Sequence, residues 1–89
     1  MKRTTLKASR VITTILYSMS EFEMRQRMKK MERKDLMTLL AFYLLEEQGI
    51  KVTTEKQIQE VIEQNYMREV AREDLMVEII NSRSRLGIA

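Results

Sequence analysis

The chain contains no proline, and its only two glycines stand 38 residues apart. Proline breaks helices by removing a donor and clashing with the preceding turn, and glycine punctuates them. A chain nearly free of both has few enforced breaks. Its commonest residues include Leu, Met, Glu, Lys and Arg, all strong helix formers. The predicted fold is all-α. With 89 residues the chain makes one domain with a modest core. The expectation is a compact bundle of four to five short helices: residues 1–8 a basic flexible N-terminus, 9–82 the helical domain, 83–89 a frayed tail.

Hydrophobic spacing places the helices. Val11, Ile12, Ile15, Leu16 and Met19 form one amphipathic stripe. Ser20 with Glu23 three residues on is a capping box that opens a second helix, carrying Met24, Met28 and Met31 on one face. Asp35 is a candidate cap for a central helix near 36–48. There Leu36, Leu40, Tyr43 and Leu44 make one face, and Met37, Leu39 and Phe42 spread apolar surface around the rest. A helix apolar nearly all round is usually buried. Gly49 is positioned to close it in a left-handed conformation, with Ile50 folding back on Leu45. Thr53 or Thr54 caps the next helix, with Gln57 completing a box in the second case, and Ile58, Val61 and Ile62 form its stripe. A last helix is predicted from about Tyr66 to Ser82, with Met67, Val70, Ala71, Leu75, Ile79 and Ile80 inward. Residues 33–37 and 72–76 echo each other: Arg-Lys-Asp-Leu-Met against Arg-Glu-Asp-Leu-Met, with Leu40 and Ile79 in register. Chance, similar first turns and a duplicated helical hairpin all account for such a match.

Charge is segregated along the chain. Residues 1–34 hold ten Lys/Arg and three Glu, residues 35–66 hold two Lys and six acids, and the remainder is balanced. There is no His and no Cys, so the usual general bases, nucleophiles and soft metal ligands are missing. The two glycines are too far apart for a phosphate loop. Glu46 and Glu47 are adjacent at a helix C-terminus, where the dipole disfavours them; a hard cation, a basic partner or plain solvent would answer them. The expectation is a non-enzymatic protein with no cofactor, no metal and no small-molecule substrate.

The basic third is the candidate binding region. In a continuous helix, Arg25 and Arg27 would pair with Glu21 and Glu23 four residues earlier, whereas Lys29 with Arg33 and Lys30 with Lys34 would repel. The surplus asks for an anion. Nucleic-acid phosphate is one source, and the acidic stretch of Glu55, Glu60 and Glu63 is another, in the chain or in a second copy. Lys29, Lys30, Arg33 and Lys34 are the candidate contacts, helped by Lys2, Arg3, Lys7 and Arg10. Met24, Met28 and Met31 suit a protein interface, since methionine adapts to varied partners.

Ala41 to Gln64 resembles in outline the two middle helices of a helix-turn-helix, but the would-be recognition helix is acidic and unsuited to a phosphate-lined groove. Arg3 to Ala8 followed by two helices is similar in outline to a ribbon-helix-helix. The leading expectation is a regulatory protein that contacts DNA or RNA phosphates without reading bases. The alternatives are a small inhibitor or adaptor docking its Met-rich helix on a larger protein, and a self-assembling helical protein. A homodimer is expected because an 89-residue bundle looks too small to cover the apolar central helix. The absence of cysteine and of a long apolar run points to a cytoplasmic protein without a membrane span.

Overall fold

The computed structural model describes residues 17–87. Four α-helices account for most of them: α1 Glu21–Met28, α2 Arg33–Glu47, α3 Glu55–Gln64 and α4 Arg72–Arg85, with a 3-10 turn at Met67–Glu69. The all-α bundle is as predicted. Most of the stripe from Val11, the basic residues Lys2, Arg3, Lys7 and Arg10, and the strand of the ribbon-helix-helix outline lie outside the described residues.

Local chemistry sets several boundaries where the sequence placed them. The Glu23 amide donates to Ser20 Oγ at 3.2 Å, and the Ser20 amide donates to the Glu23 carboxylate at 3.0 Å. At α3 the Gln57 amide donates to Thr54 Oγ1, and Gln57 Oε1 accepts from the amides of Thr53 and Thr54 at 2.7 and 3.0 Å. These boxes satisfy donors that a bare helix start leaves open. Gly49 sits at φ 74, with Ile50 N–H to Leu45 carbonyl at 2.9 Å and Gly49 N–H to Glu46 carbonyl at 3.0 Å. That is the complete Schellman pattern.

Other boundaries differ. The basic helix stops at Met28 instead of running through Lys34, and α2 begins at Arg33, so Asp35 lies in its first turn and Glu32 takes the cap position. The break is supported from a distance: Arg72 Nη2 donates to the carbonyls of Met28 and Lys29 at 2.8 and 3.0 Å. The last helix begins at Arg72, not Tyr66. Asn65 Nδ2 folds back on the Val61 carbonyl at 2.8 Å, and Tyr66 turns left-handed at φ 52. At its far end α4 runs past Ser82 to Arg85, and Ser82 and Arg83 are buried where fraying was expected. Ser82 donates to Glu47 and Arg83 to the Met19 carbonyl, polar ties that hydrophobic spacing does not register.

Helix α2 is the centre. Its Leu36, Leu39, Leu40, Ala41, Phe42, Tyr43 and Leu45 are all buried within the single chain. The single chain therefore covers most of the central helix, whose apolar surface is one part of the ground for expecting a homodimer. Helix α4 packs along α2, α3 packs on α2, and α1 packs on α4. The start of α2 meets residues just before α4, and the end of α2 meets the end of α4, so these two helices run in the same direction.

Candidate functional site

The break after α1 gathers the basic cluster at one corner. Lys29 and Lys30 sit on the turn between α1 and α2, and Lys34 is the second residue of α2; all three are exposed. The only ion pair that reaches them among the described residues is the loose 4.0 Å contact of Lys34 with Glu32. The acidic residues of α3 do not answer them. Because residues 29–32 are not helical, the like-charge repulsion expected along a continuous helix does not arise.

Arg33 parts company with its neighbours. It is half-buried, and its Nη2 donates to the carbonyls of Met67 and Arg68 at 3.1 and 2.8 Å. Its first task is to hold the turn before α4, although its charge still adds to the local field. Arg72, which sequence reasoning did not single out, lies half-buried behind the Lys29–Lys30 turn and ties down its carbonyls. The corner is thus three exposed cations beside two that are tied to backbone carbonyls. Moreover, Arg33 and Lys34 lie in the first turn of α2, where the helix dipole disfavours positive charge. An external anion at this corner would offset that unfavourable placement.

The expected ion pairs of α1 divide. Arg25 Nη2 pairs with Glu21 at 3.0 Å. Glu23 instead turns back to the Ser20 amide, a bond that holds its carboxyl below the usual range.

The methionine interface needs correction. Met24 and Met28 are fully buried in the core, and Met31 packs partly buried against it, so the folded chain does not offer them as a docking stripe. Helix geometry turned them inward because α1 must cover α4. The exposed apolar side chain of α1 is Phe22, at 71%.

Two further features lie away from the corner. Glu47 accepts from Arg85 Nε and Nη2 at 2.5 and 3.1 Å and from Ser82, and the Arg85 bond lowers its pKa. The partner of this helix-end acid is therefore inside the chain. Nearby, the rings of Tyr17 and Tyr43 pack with centroids 5.1 Å apart. Burial pushes Tyr43 up to about 12 and, with the Glu46 charge as a smaller cause, raises Tyr17 as well. On another face an open groove of about 420 Å³ is lined by Leu40, Leu44, Met67, Val70 and Val77, with Asp74 and Glu78 at its rim.

Among the described residues no group of three acidic side chains is arranged to hold a metal ion, and no helix is long and apolar enough to cross a membrane. The chain matches no family model, no curated protein and no solved structure.

Proposed function

We propose that this is a non-enzymatic binding protein whose basic corner, Lys29, Lys30 and Lys34, engages the phosphates of a nucleic acid. The observation that carries the reading is a cluster of exposed lysines without close acidic partners, placed where the α2 dipole also favours an anion. Lys2, Arg3, Lys7 and Arg10 add four more cations on the same chain. Contacts of this kind fix position on a backbone and carry no base information. Fluorescence anisotropy on a labelled duplex tests the reading. Lys29→Glu with Lys30→Glu should weaken binding alike for unrelated sequences. Binding unchanged by that pair would reject the corner.

A second reading rests on Phe22. It is the most exposed large apolar side chain described, and it lies in the first turn of α1, three residues before the exposed Arg25. An exposed aromatic beside cations suits an acidic protein surface. Phe22→Ala that abolishes capture of a protein partner, while leaving duplex binding intact, would favour this reading.

A further inference from the structure

The two arginine contacts that position the corner mirror each other. Arg72 donates to the carbonyls of Met28 and Lys29, which stand five and four residues before Arg33. Arg33 donates to the carbonyls of Met67 and Arg68, which stand five and four residues before Arg72. Exchanging the two halves of the chain, at a constant offset of 39, turns one contact into the other. Two similar first turns would explain a shared sequence; they would not explain why each reaches for the other's turn.

The same exchange extends through the fold. Met28 and Met67, Leu36 and Leu75, and Leu40 and Ile79 are equivalent pairs, and all six are buried. Arg33 and Arg72 each open a second helix, and Asp35 and Asp74 follow in its first turn. Both first helices, α1 and α3, begin with a capping box, although Ser20 and Thr54 stand 34 residues apart, so these helix starts are out of register with the other pairs. Both second helices close at a left-handed glycine, Gly49 at φ 74 and Gly87 at φ 80, an offset of 38 because α4 is one residue shorter than α2. The packing is exchanged too: α1 lies on α4 and α3 lies on α2, while α2 and α4 run side by side in one direction. That pattern of contacts is the one a two-fold axis along the central pair would produce.

We propose that the chain is an intramolecular dimer: two copies of one helical hairpin, each locked by an arginine from the other, with the anion-binding face kept on one copy only. Comparing the copies separates scaffold from surface. The arginine, aspartate, leucine and buried methionine are shared, so the fold uses them twice. Lys29 corresponds to Arg68, a cation in both copies, whereas the exposed Lys30 and Lys34 correspond to Glu69 and Glu73, so the one-sidedness lies in these two positions and charge there is not dictated by the fold. The duplication stands on the contacts alone; the one-sided face rests on the proposed function.

Two measurements on the full chain test the two parts separately. In urea unfolding, Arg33→Met and Arg72→Met should each raise the unfolding constant by roughly 10- to 100-fold, because each strands paired carbonyls. The two factors should agree within about fivefold if the clasps are equivalent. A large loss at one arginine and none at the other overturns the duplication. The second variant exchanges the charges: Lys30→Glu, Lys34→Glu, Glu69→Lys and Glu73→Lys, which leaves net charge unchanged. It should remain folded and bind a labelled duplex within about fivefold of the original, with backbone amide shifts moved from residues 29–34 to 68–73. A folded variant whose binding falls more than tenfold, or whose shifts stay at 29–34, overturns the face assignment. If the original chain binds no duplex, the proposed function fails, while the arginine pair still decides the duplication.

Discussion

Gly49 offers a prediction whose magnitude can be worked from one residue. Its φ of 74 closes α2, and a Cβ added there meets nothing within 4 Å. Steric crowding therefore contributes nothing, and Gly49→Ala isolates the backbone term. Holding an L-residue in the left-handed region costs about 1–2 kcal/mol. Alanine also narrows the unfolded ensemble, which returns about 0.4–1 kcal/mol. The net loss is about 1 kcal/mol, or a Tm lower by roughly 4–8 °C for a domain of this size. Urea and thermal unfolding followed by far-UV circular dichroism measure it. D-alanine at the same position, introduced by chemical synthesis, keeps the entropic gain without the strain and should stabilise by about 0.4–1 kcal/mol. An L-alanine variant as stable as the original, or a D-alanine variant less stable than the L form, would refute the assignment of Gly49 as the helix stop.

Leu40→Ala should cost roughly 2–5 kcal/mol, toward the lower end because one side of Leu40 lines the open groove; a loss well under that range in urea unfolding would mean that α2 is not central. Lys34→Glu should move stability and binding in opposite directions. It replaces a cation in the first turn of α2 with an acid, worth about 0.3–1 kcal/mol of added stability, while duplex affinity falls; a variant that loses both would place Lys34 in the scaffold. Glu47 has a lowered folded pKa because Arg85 donates to it, so its contribution is complete above its unfolded value of 4.5 and is lost as pH falls through the folded value. Glu47→Gln should therefore lower the urea midpoint near neutral pH and make it less sensitive to acid, and an unchanged acid dependence would exclude the Glu47–Arg85 contact as its cause.

What could be read from the sequence was what depends on a few consecutive residues. Ser20 with Glu23, Thr54 with Gln57, and Gly49 with Ile50 each complete their bonding within six residues, and each stands where the pattern placed it. The central position of α2 followed from its apolar circumference. The break at residues 29–32 carries no glycine or proline, because its freed carbonyls are satisfied by Arg72 more than 40 residues away. Arg33 and Lys34 look alike in a charge count, and only the carbonyls of Met67 and Arg68 distinguish a clasp from a free cation. Tyr66 in a left-handed turn is likewise a tertiary outcome, since non-glycine residues rarely go there unaided. The five-residue echo was the one legible trace of the long-range design, and its meaning lay in contacts that a linear pattern does not contain.

The central functional claim is that a phosphate backbone is held by the exposed cations of this chain. The most direct measurement is the affinity for an unrelated-sequence duplex from about 50 to about 200 mM salt. Three phosphates neutralised by Lys29, Lys30 and Lys34 give a log–log slope of about −3, steepening toward about −6 if Lys2, Arg3, Lys7 and Arg10 join them. Lys30→Glu with Lys34→Glu should flatten that slope by about 2. No binding at the lowest salt, or tight binding that ignores salt, would contradict the account.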